Sequence, residues 1–301
     1  MGRLVLIDGN AILHRAFHAF PITLTTRQGE TVNAVYGFTK ILLTVISDLH
    51  PKYLAVTFDL PAPTFRQKEY IAYHANRPKM DDVLSSQIKR VYEVVEALNL
   101  PIFTAVGFEA DDVIGTLAKQ AGKKRVETVI VTGDRDLLQL VDEKTKVYSP
   151  GKGFSEPILY NEDKVIKKMG IKPEQVVDYK ALVGDSSDNY PGVPGIGPKT
   201  AVKLLLEFGS LKRIYEQLPQ IETKLGKKLA EDSEMAFLSQ KLAQIVTDAP
   251  VKLRLKACLV HDYNHQKAID LFGNLEFKSL IRKLPNIREE EIKKDHQAAL
   301  F

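Results

Sequence analysis

Three short apolar runs each deliver an aspartate at or just past their end: Arg3 to Ile7 before Asp8, Tyr53 to Phe58 before Asp59, and Val126 to Thr132 before Asp134. Runs of this length, rich in Val, Ile, Leu, Phe and Thr, read as buried parallel strands when helical segments separate them. In an open α/β sheet the carboxyl ends of such strands line the ligand crevice. Carboxylates crowded there repel one another unless a cation sits among them. More acids join the set: Glu109, Asp111 and Asp112 at the mouth of a helix, Asp136 two residues after Asp134, and Asp185 and Asp188 in the turn Gly184 to Asn189. All are hard oxygen donors, which select Mg²⁺ or Mn²⁺ over zinc or copper. Nine exceed the needs of one octahedral ion and suit a pair roughly 4 Å apart, the arrangement used for in-line phosphodiester displacement. Asp112 and Asp136 have the least support, because a single acid at a helix start is more often a cap or a surface charge.

The elements that must position these acids alternate up to about residue 160. Asn10 to Ala19 and Asn33 to Leu49 have helical spacing, and Asp81 to Leu98 is amphipathic with Asp81 as its cap. Pro101 to Val106 reads as a strand and Ala110 to Gln120 as a helix. This order predicts a mostly parallel α/β sheet. After Tyr160 the strands give way to helices broken at Gly184 to Gly197, Gly209 and Pro219, so a second, all-α part is expected from about 165 to 285. Arg288 to His296 is densely charged and reads as a solvated tail or linker.

Two segments are suited to nucleic acid. Between Pro61 and Pro78 the residues Phe65, Arg66, Lys68, Tyr70, Tyr73, His74 and Arg77 interleave aromatic and basic side chains. Aromatics can stack on bases while Arg and Lys hold phosphates, although an amphipathic helix with a solvated face would give the same pattern. Pro191 to Thr200 is a glycine hairpin leading into the apolar helix Ala201 to Phe208. Gly195 and Gly197 are expected to take backbone angles closed to other residues, with Pro198 in the helix's first turn. The hairpin amides and helix N-terminus, with Lys199 and Lys203, could then hold a phosphate, against the alternative of a tight helix connection without ligand.

Composition agrees with such partners. The chain has 301 residues, 44% of them hydrophobic, enough for a substantial core. Its net charge is +4, and the balance tips further positive once nine acids are assigned to metal, which suits a polyanion. A single cysteine, Cys258, excludes a disulfide framework, and no Cys/His cluster has zinc spacing. No apolar run reaches the length of a signal peptide's core or a membrane span, so a cytoplasmic setting is expected.

The set of motifs resembles the 5′-nuclease family, the 5′ to 3′ exonuclease or flap endonuclease domain found at the N-terminus of bacterial DNA polymerase I and as free-standing proteins. The resemblance runs from Leu4 to about Leu284. It is carried by the stretches Leu4 to Asn10, His14 to Ala19, Ala34 to Phe38, Thr57 to Arg66, Gly107 to Ala118, Thr132 to Val141 and Gly184 to Ala201. It implies a PIN-like nuclease core over residues 1–165 with a helical arch at about 60–95. A helix-three-turn-helix DNA-binding part, of helix-hairpin-helix type, would follow over 166–285. By the resemblance Asp8, Asp59, Glu109 and Asp111, with Asp112 close by, hold a first metal ion, and Asp134, Asp136, Asp185 and Asp188 a second. Arg66, Tyr73 and Arg77 match arch positions that engage the 5′ strand, and Arg15 lies near the site. The hairpin, with Gly192, Gly195, Gly197, Lys199, Thr200 and Lys203, would grip duplex DNA with a K⁺ ion on its carbonyls. His74 stands where the family usually has a lysine, and a histidine is only partly charged near neutrality.

The implied activity is Mg²⁺-dependent hydrolysis of DNA near a junction of duplex and 5′ single strand, including an RNA–DNA primer, by a monomer. A haloacid-dehalogenase-type phosphatase would explain the segments around Asp134 and Asp185 but not Asp8, Asp59, Glu109 or the hairpin. A module that merely recognises branched DNA would not require all nine acids. The last five residues, Gln297 to Phe301, resemble a sliding-clamp docking peptide with Ala298 in place of the usual leucine.

Overall fold

The computed structural model describes residues 2–151 and 156–285. Six strands form one sheet: β1 (Arg3–Asp8), β2 (Tyr53–Thr57), β3 (Ile102–Phe103), β4 (Glu127–Val131), β5 (Thr145–Ser149) and β6 (Ile158–Tyr160). Their order is β3-β2-β1-β4-β5-β6, with all pairs parallel except the antiparallel β5–β6. β1 lies between β2 and β4, so the strand order reverses there. Ligands bind at this switch point in open α/β sheets, and Asp8 ends β1.

The pleat sorts β1 onto two cores. Val5 and Ile7 pack with α1 (Gly9–Ala19), α2 (Asn33–Leu49) and α4 (Asp82–Ala97). Leu4 and Leu6 point to the other face, toward α5 (Ala110–Lys123), α7 (Val176–Val183) and α8 (Pro198–Phe208). Asp81 caps α4, accepting from the Val83 amide at 2.8 Å, as its position before the amphipathic run predicts.

The segment expected to arch over residues 60–95 divides in two. α4 is a core helix whose Leu84, Val91, Val94 and Val95 are buried, and whose Gln87 bonds Asn33 and the Ala34 amide of α2. Only residues 60–81 lie apart from it, with the short helix α3 (Phe65–Glu69) followed by consecutive turns.

The helical part contains α6 (Glu162–Met169), α7, α8, α9 (Leu211–Glu216), α10 (Thr223–Glu231) and α11 (Ser233–Ala243). It does not extend as a separate unit to 285. Leu259 forms a β-bridge to Tyr53, and α12 (His265–Asn274) and α13 (Lys278–Ile281) return to the α/β core. Phe272, Phe277, Leu280 and Leu284 share one hydrophobic cluster with α2 and α4. Residues 286–301, including the charged tail and the peptide Gln297 to Phe301, lie outside the described residues. Among the described residues no helix is long and apolar enough to cross a membrane.

Candidate active site

Asp8 is held by the start of α1 on one side and by β4 on the other. Its Oδ1 accepts from the Ala11 amide at 3.0 Å and its Oδ2 from the Thr132 hydroxyl at 2.7 Å. Burial pushes its carboxyl up to about 7, and the charges of Asp134 and Asp59 add to that, against the two hydrogen bonds. Asp59, just past β2, accepts the Ala110 amide of α5 at 2.6 Å, and its own amide donates to Asn10. Enclosure raises its carboxyl as well, the Ala110 bond opposing. Glu109 is the N-cap of α5. It accepts from Thr64 at 3.1 Å, from Arg66 at 3.1 Å and from the Tyr73 hydroxyl at 3.2 Å. Burial drives Asp111 well above the usual carboxylate range; Arg66 opposes, while Asp112 and Glu109 add.

Asp112 departs from the ligand reading. It is 0% exposed and forms a two-pronged pair with Arg66 at 2.7 and 2.8 Å. It also accepts the Glu109 and Val246 amides, so both oxygens are engaged. The physical reason is its place on α5. Asp112, Thr116 and Gln120 recur every fourth residue and bond the amides of Val246, Ala249 and Leu253 in a returning chain segment.

Arg66 departs from the arch reading for the same reason. Only 1% exposed, it donates to Asp112, to Glu109 and to the carbonyls of Leu242 and Gln244. It clamps α3 onto α5 and the end of α11, and presents no free donor to a strand outside.

The second group of acids does come together. Asp136, Asp185 and Asp188 place one ligand oxygen each within 4.8 Å of one another, and among the described residues theirs is the group of three or more metal-competent side chains found so close. Asp134 stands beside them, its Oδ1 accepting the Asp136 amide at 2.8 Å. Asp185 folds the turn upon itself by accepting from the Ser187 amide and hydroxyl. The group carries its own cations. Lys180 of α7 bonds Asp136 at 2.6 Å and also Asp185. Arg77 bonds Asp188 at 2.6 Å, and His74 Nε2 lies 3.4 Å from the same carboxylate.

Charge compensation in the second group is uneven. Burial works against ionisation of Asp188, yet the His74 and Arg77 contacts hold its carboxyl down to about 2. Burial likewise opposes Asp185, and Lys180 and Ser187 hold it below the usual range. Asp136 is pushed up to about 7 by burial and by the Asp134 charge, with Lys180 opposing.

Residues 70–77 close over this group. The Tyr73 ring stacks on His74 and on Tyr190. The His74 amide donates to the Asp188 carbonyl at 2.9 Å, and Asn189 reaches the Ala72 carbonyl and Asn76. Both His74 and Asn189 adopt left-handed backbone angles, φ 62° and 60°. Arg15 lies at the other rim of the strand ends, donating to the carbonyls of Pro150 and Gly151.

The hairpin follows directly. Gly192 has φ 63°, and a Cβ there would come 2.3 Å from the Gly184 amide nitrogen, so the two backbones touch. Gly195 has φ 80°, but Gly197 has φ −96° and is simply the N-cap of α8, which removes the conformational argument made for it. Pro198 occupies the first turn. Lys199 and Lys203 are exposed and Thr200 is half-buried, while Ala201, Leu204, Leu205 and Phe208 fill the core.

Sequence reasoning missed Lys180, Thr132, Asn10 and Tyr190. Lys180 had a readable signal, a lone cation one helical turn before an Asp-rich loop; the others form contacts across the sheet or between segments far apart in the chain.

Comparison with known proteins fits this geometry. Residues 3–170 match the 5′-3′ exonuclease N-terminal resolvase-like domain, and residues 171–266 the 5′-3′ exonuclease C-terminal SAM fold. DNA polymerase I of Caldicellulosiruptor bescii is 44% identical over 284 residues, and that of Bacillus subtilis 40% over 283, in each case 94% of this chain. The chain spans about a third of those longer proteins, 33% and 32%. In fold it is similar to a flap endonuclease of bacteriophage T5, crystallised with DNA and metal ions, with TM-score 0.70 and 21% identity over 91% of this chain and 99% of that one. The catalytic core of Rad2 in complex with DNA substrate matches with TM-score 0.59 and 18% identity, over 94% and 91%. With both domain families matched in order along one chain whose carboxylates meet at the sheet's switch point, the protein belongs to the 5′-3′ exonuclease family.

Proposed function

We propose that this domain hydrolyses DNA phosphodiesters where a 5′ single strand meets duplex, as exonuclease and as structure-specific flap endonuclease, leaving a 5′-phosphate. Replication and repair, including removal of RNA–DNA primers, would use this reaction. The observation that carries the reading is the convergence of Asp136, Asp185 and Asp188 beside the strand-end acids, a purely carboxylate donor set. Such donors fit Mg²⁺ or Mn²⁺. Asp8, Asp59, Glu109 and Asp111 would hold one ion and Asp136, Asp185 and Asp188, with Asp134 beside them, the other. Two such ions, when bound, supply an activated water and compensate the charge on the departing 3′ oxygen.

The chain's own residues prepare that chemistry. Thr132 and the Ala11 amide fix the Asp8 carboxylate, and the Tyr73 hydroxyl fixes Glu109. Arg77, half-exposed and with Asp188 as its side-chain partner among the described residues, would be released to hold a phosphate of the 5′ strand once that carboxylate takes up a cation. His74 adds a second donor beside it. The hairpin amides with Lys199, Thr200 and Lys203 would hold duplex phosphates, and a K⁺ ion on the hairpin carbonyls belongs to the same reading. So do a monomeric state in the cytoplasm and clamp docking through Gln297 to Phe301, which unchanged clamp affinity after deletion of 297–301 would reject.

The test is cleavage of a 5′-labelled flap duplex with and without Mg²⁺, mapping the cut against the junction. A Mg²⁺-dependent cut at or near the junction is expected. Cleavage undiminished in chelator, or none with Mg²⁺ or Mn²⁺, would overturn the reading.

A further inference from the structure

Arg135 is flanked in sequence by two acids of the second group, yet it pairs with neither. Asp134 is occupied by the Asp136 amide and Asp136 by Lys180. The Arg135 side chain is exposed and instead lines a groove of about 660 Å³. Lys168 at the end of α6 and Lys199 in the first turn of α8 line the same groove and are also exposed. None of the three forms an ion pair or a side-chain hydrogen bond among the described residues. The groove's one carboxylate, Asp185, is already bonded to Lys180. Three uncompensated cations therefore face one concavity.

Position selects the occupant. The groove's lining joins Lys180, Gly184 and Asp185, beside the acidic group, to Pro198, Lys199 and Val202 of the hairpin helix. A strand held on the hairpin and cut at the acids would traverse this groove. The cations are spread along an open surface, which suits a chain of phosphates better than one small anion. We infer that Arg135 and Lys168, together with Lys199, form a binding track for the sugar-phosphate backbone of duplex DNA between the hairpin and the carboxylates. The inference rests on the proposed nuclease function and adds two DNA-contacting residues to it.

The experiment compares flap-duplex affinity in chelator, where binding is separate from cleavage, for wild type, Arg135→Gln/Lys168→Gln, and the control Lys89→Gln/Lys278→Gln. The control removes the same charge from exposed lysines on α4 and α13, outside the groove. Loss of two phosphate contacts lowers the slope of log affinity against log salt by about 1.8, so the groove variant's deficit narrows about twelvefold over a fourfold rise in salt. The control should keep the wild-type slope. A groove variant with the wild-type slope, or a control that loses as much, would overturn the inference while leaving wild-type cleavage intact. Wild type that neither binds nor cuts the flap would instead overturn the functional reading, and the inference with it.

Discussion

The two groups of carboxylates at the edge of the sheet are held in opposite ways. Asp8 and Asp59 are fixed by backbone amides and the Thr132 hydroxyl, and burial pushes their carboxyls up, Arg77 and His74 opposing at Asp59. Asp185 and Asp188 sit in a loop, and side-chain cations hold them below the usual range. Of the first group Glu109 meets a cation, Arg66 at 3.1 Å, which it shares with Asp112, whereas Asp8 and Asp59 have no ion pair among the described residues. The second group is partly compensated by Lys180 and Arg77, with His74 beside Asp188. On the proposed two-ion reading, metal uptake at the first group would mainly supply positive charge, and at the second would exchange one cation for another. Asp136 lies between the two cases, bonded to Lys180 yet pushed up to about 7.

The largest expected effect comes from the first group. Asp8→Asn keeps the shape but removes one charge from the proposed metal site. A Lewis-acid contribution of several kcal/mol then predicts a fall in single-turnover flap cleavage on the order of 10³-fold. Retention of near wild-type cleavage would separate Asp8 from the chemistry.

Next is the clamp beneath both groups. Arg66→Ala leaves Asp112 buried and unpaired, which predicts a loss of about 3–5 kcal/mol in denaturant unfolding. Arg66→Met/Asp112→Leu should recover part of it, since no charge is left buried alone although the Glu109 and Val246 amides lose their acceptor. A mild Arg66→Ala effect on stability with a large effect on DNA affinity would return Arg66 to the role expected of it in an arch.

Lys180→Met tests the charge balance of the second group. In chelator it should destabilise the protein by about 2 kcal/mol, the scale of hydrogen bonds to charged groups. Mg²⁺ should then raise the thermal midpoint more for the variant than for wild type, because no resident cation competes. Equal metal-induced shifts would argue against cation exchange.

A further test lies in pH. A carboxyl whose native value lies above its unfolded value of about 3.9 binds protons more tightly in the native state, so stability falls as pH rises through that window and stays low above it. Asp8 and Asp136, both near 7, therefore predict a metal-free midpoint lower at about pH 8 than at about pH 5. Asp188, near 2, acts the other way, and its contribution is lost only as pH falls below about 4. A metal-free midpoint that rises from pH 5 to 8 would contradict the assigned burial of Asp8.

Legibility in the sequence followed the range of the interactions. Strands ending in aspartate, the Asp81 cap and Pro198 at the start of α8 are local patterns and are found where the residues predict them. β5 and β6 were missed because they are short and flanked by turn residues, and are held mainly by their neighbours in the sheet. Arg66 looked like a substrate contact because a basic residue among aromatics is read as exposed, whereas its carboxylate partner lies 46 residues away. The polar ladder Asp112, Thr116 and Gln120 was open to reading from its fourfold spacing, but its partners, more than 130 residues on, were not. α12 and α13 show ordinary amphipathic spacing, and nothing local tells that their apolar faces cover α2 and α4.

The central claim, that the two groups are separate cation sites of different character, is tested most directly by counting Mn²⁺ ions bound per chain in solution. Wild type should bind two. Asp185→Asn, which disturbs only the second group, should bind one with the stronger wild-type affinity unchanged. A wild type that binds a single ion, or an Asp185→Asn variant that loses both, would contradict the account.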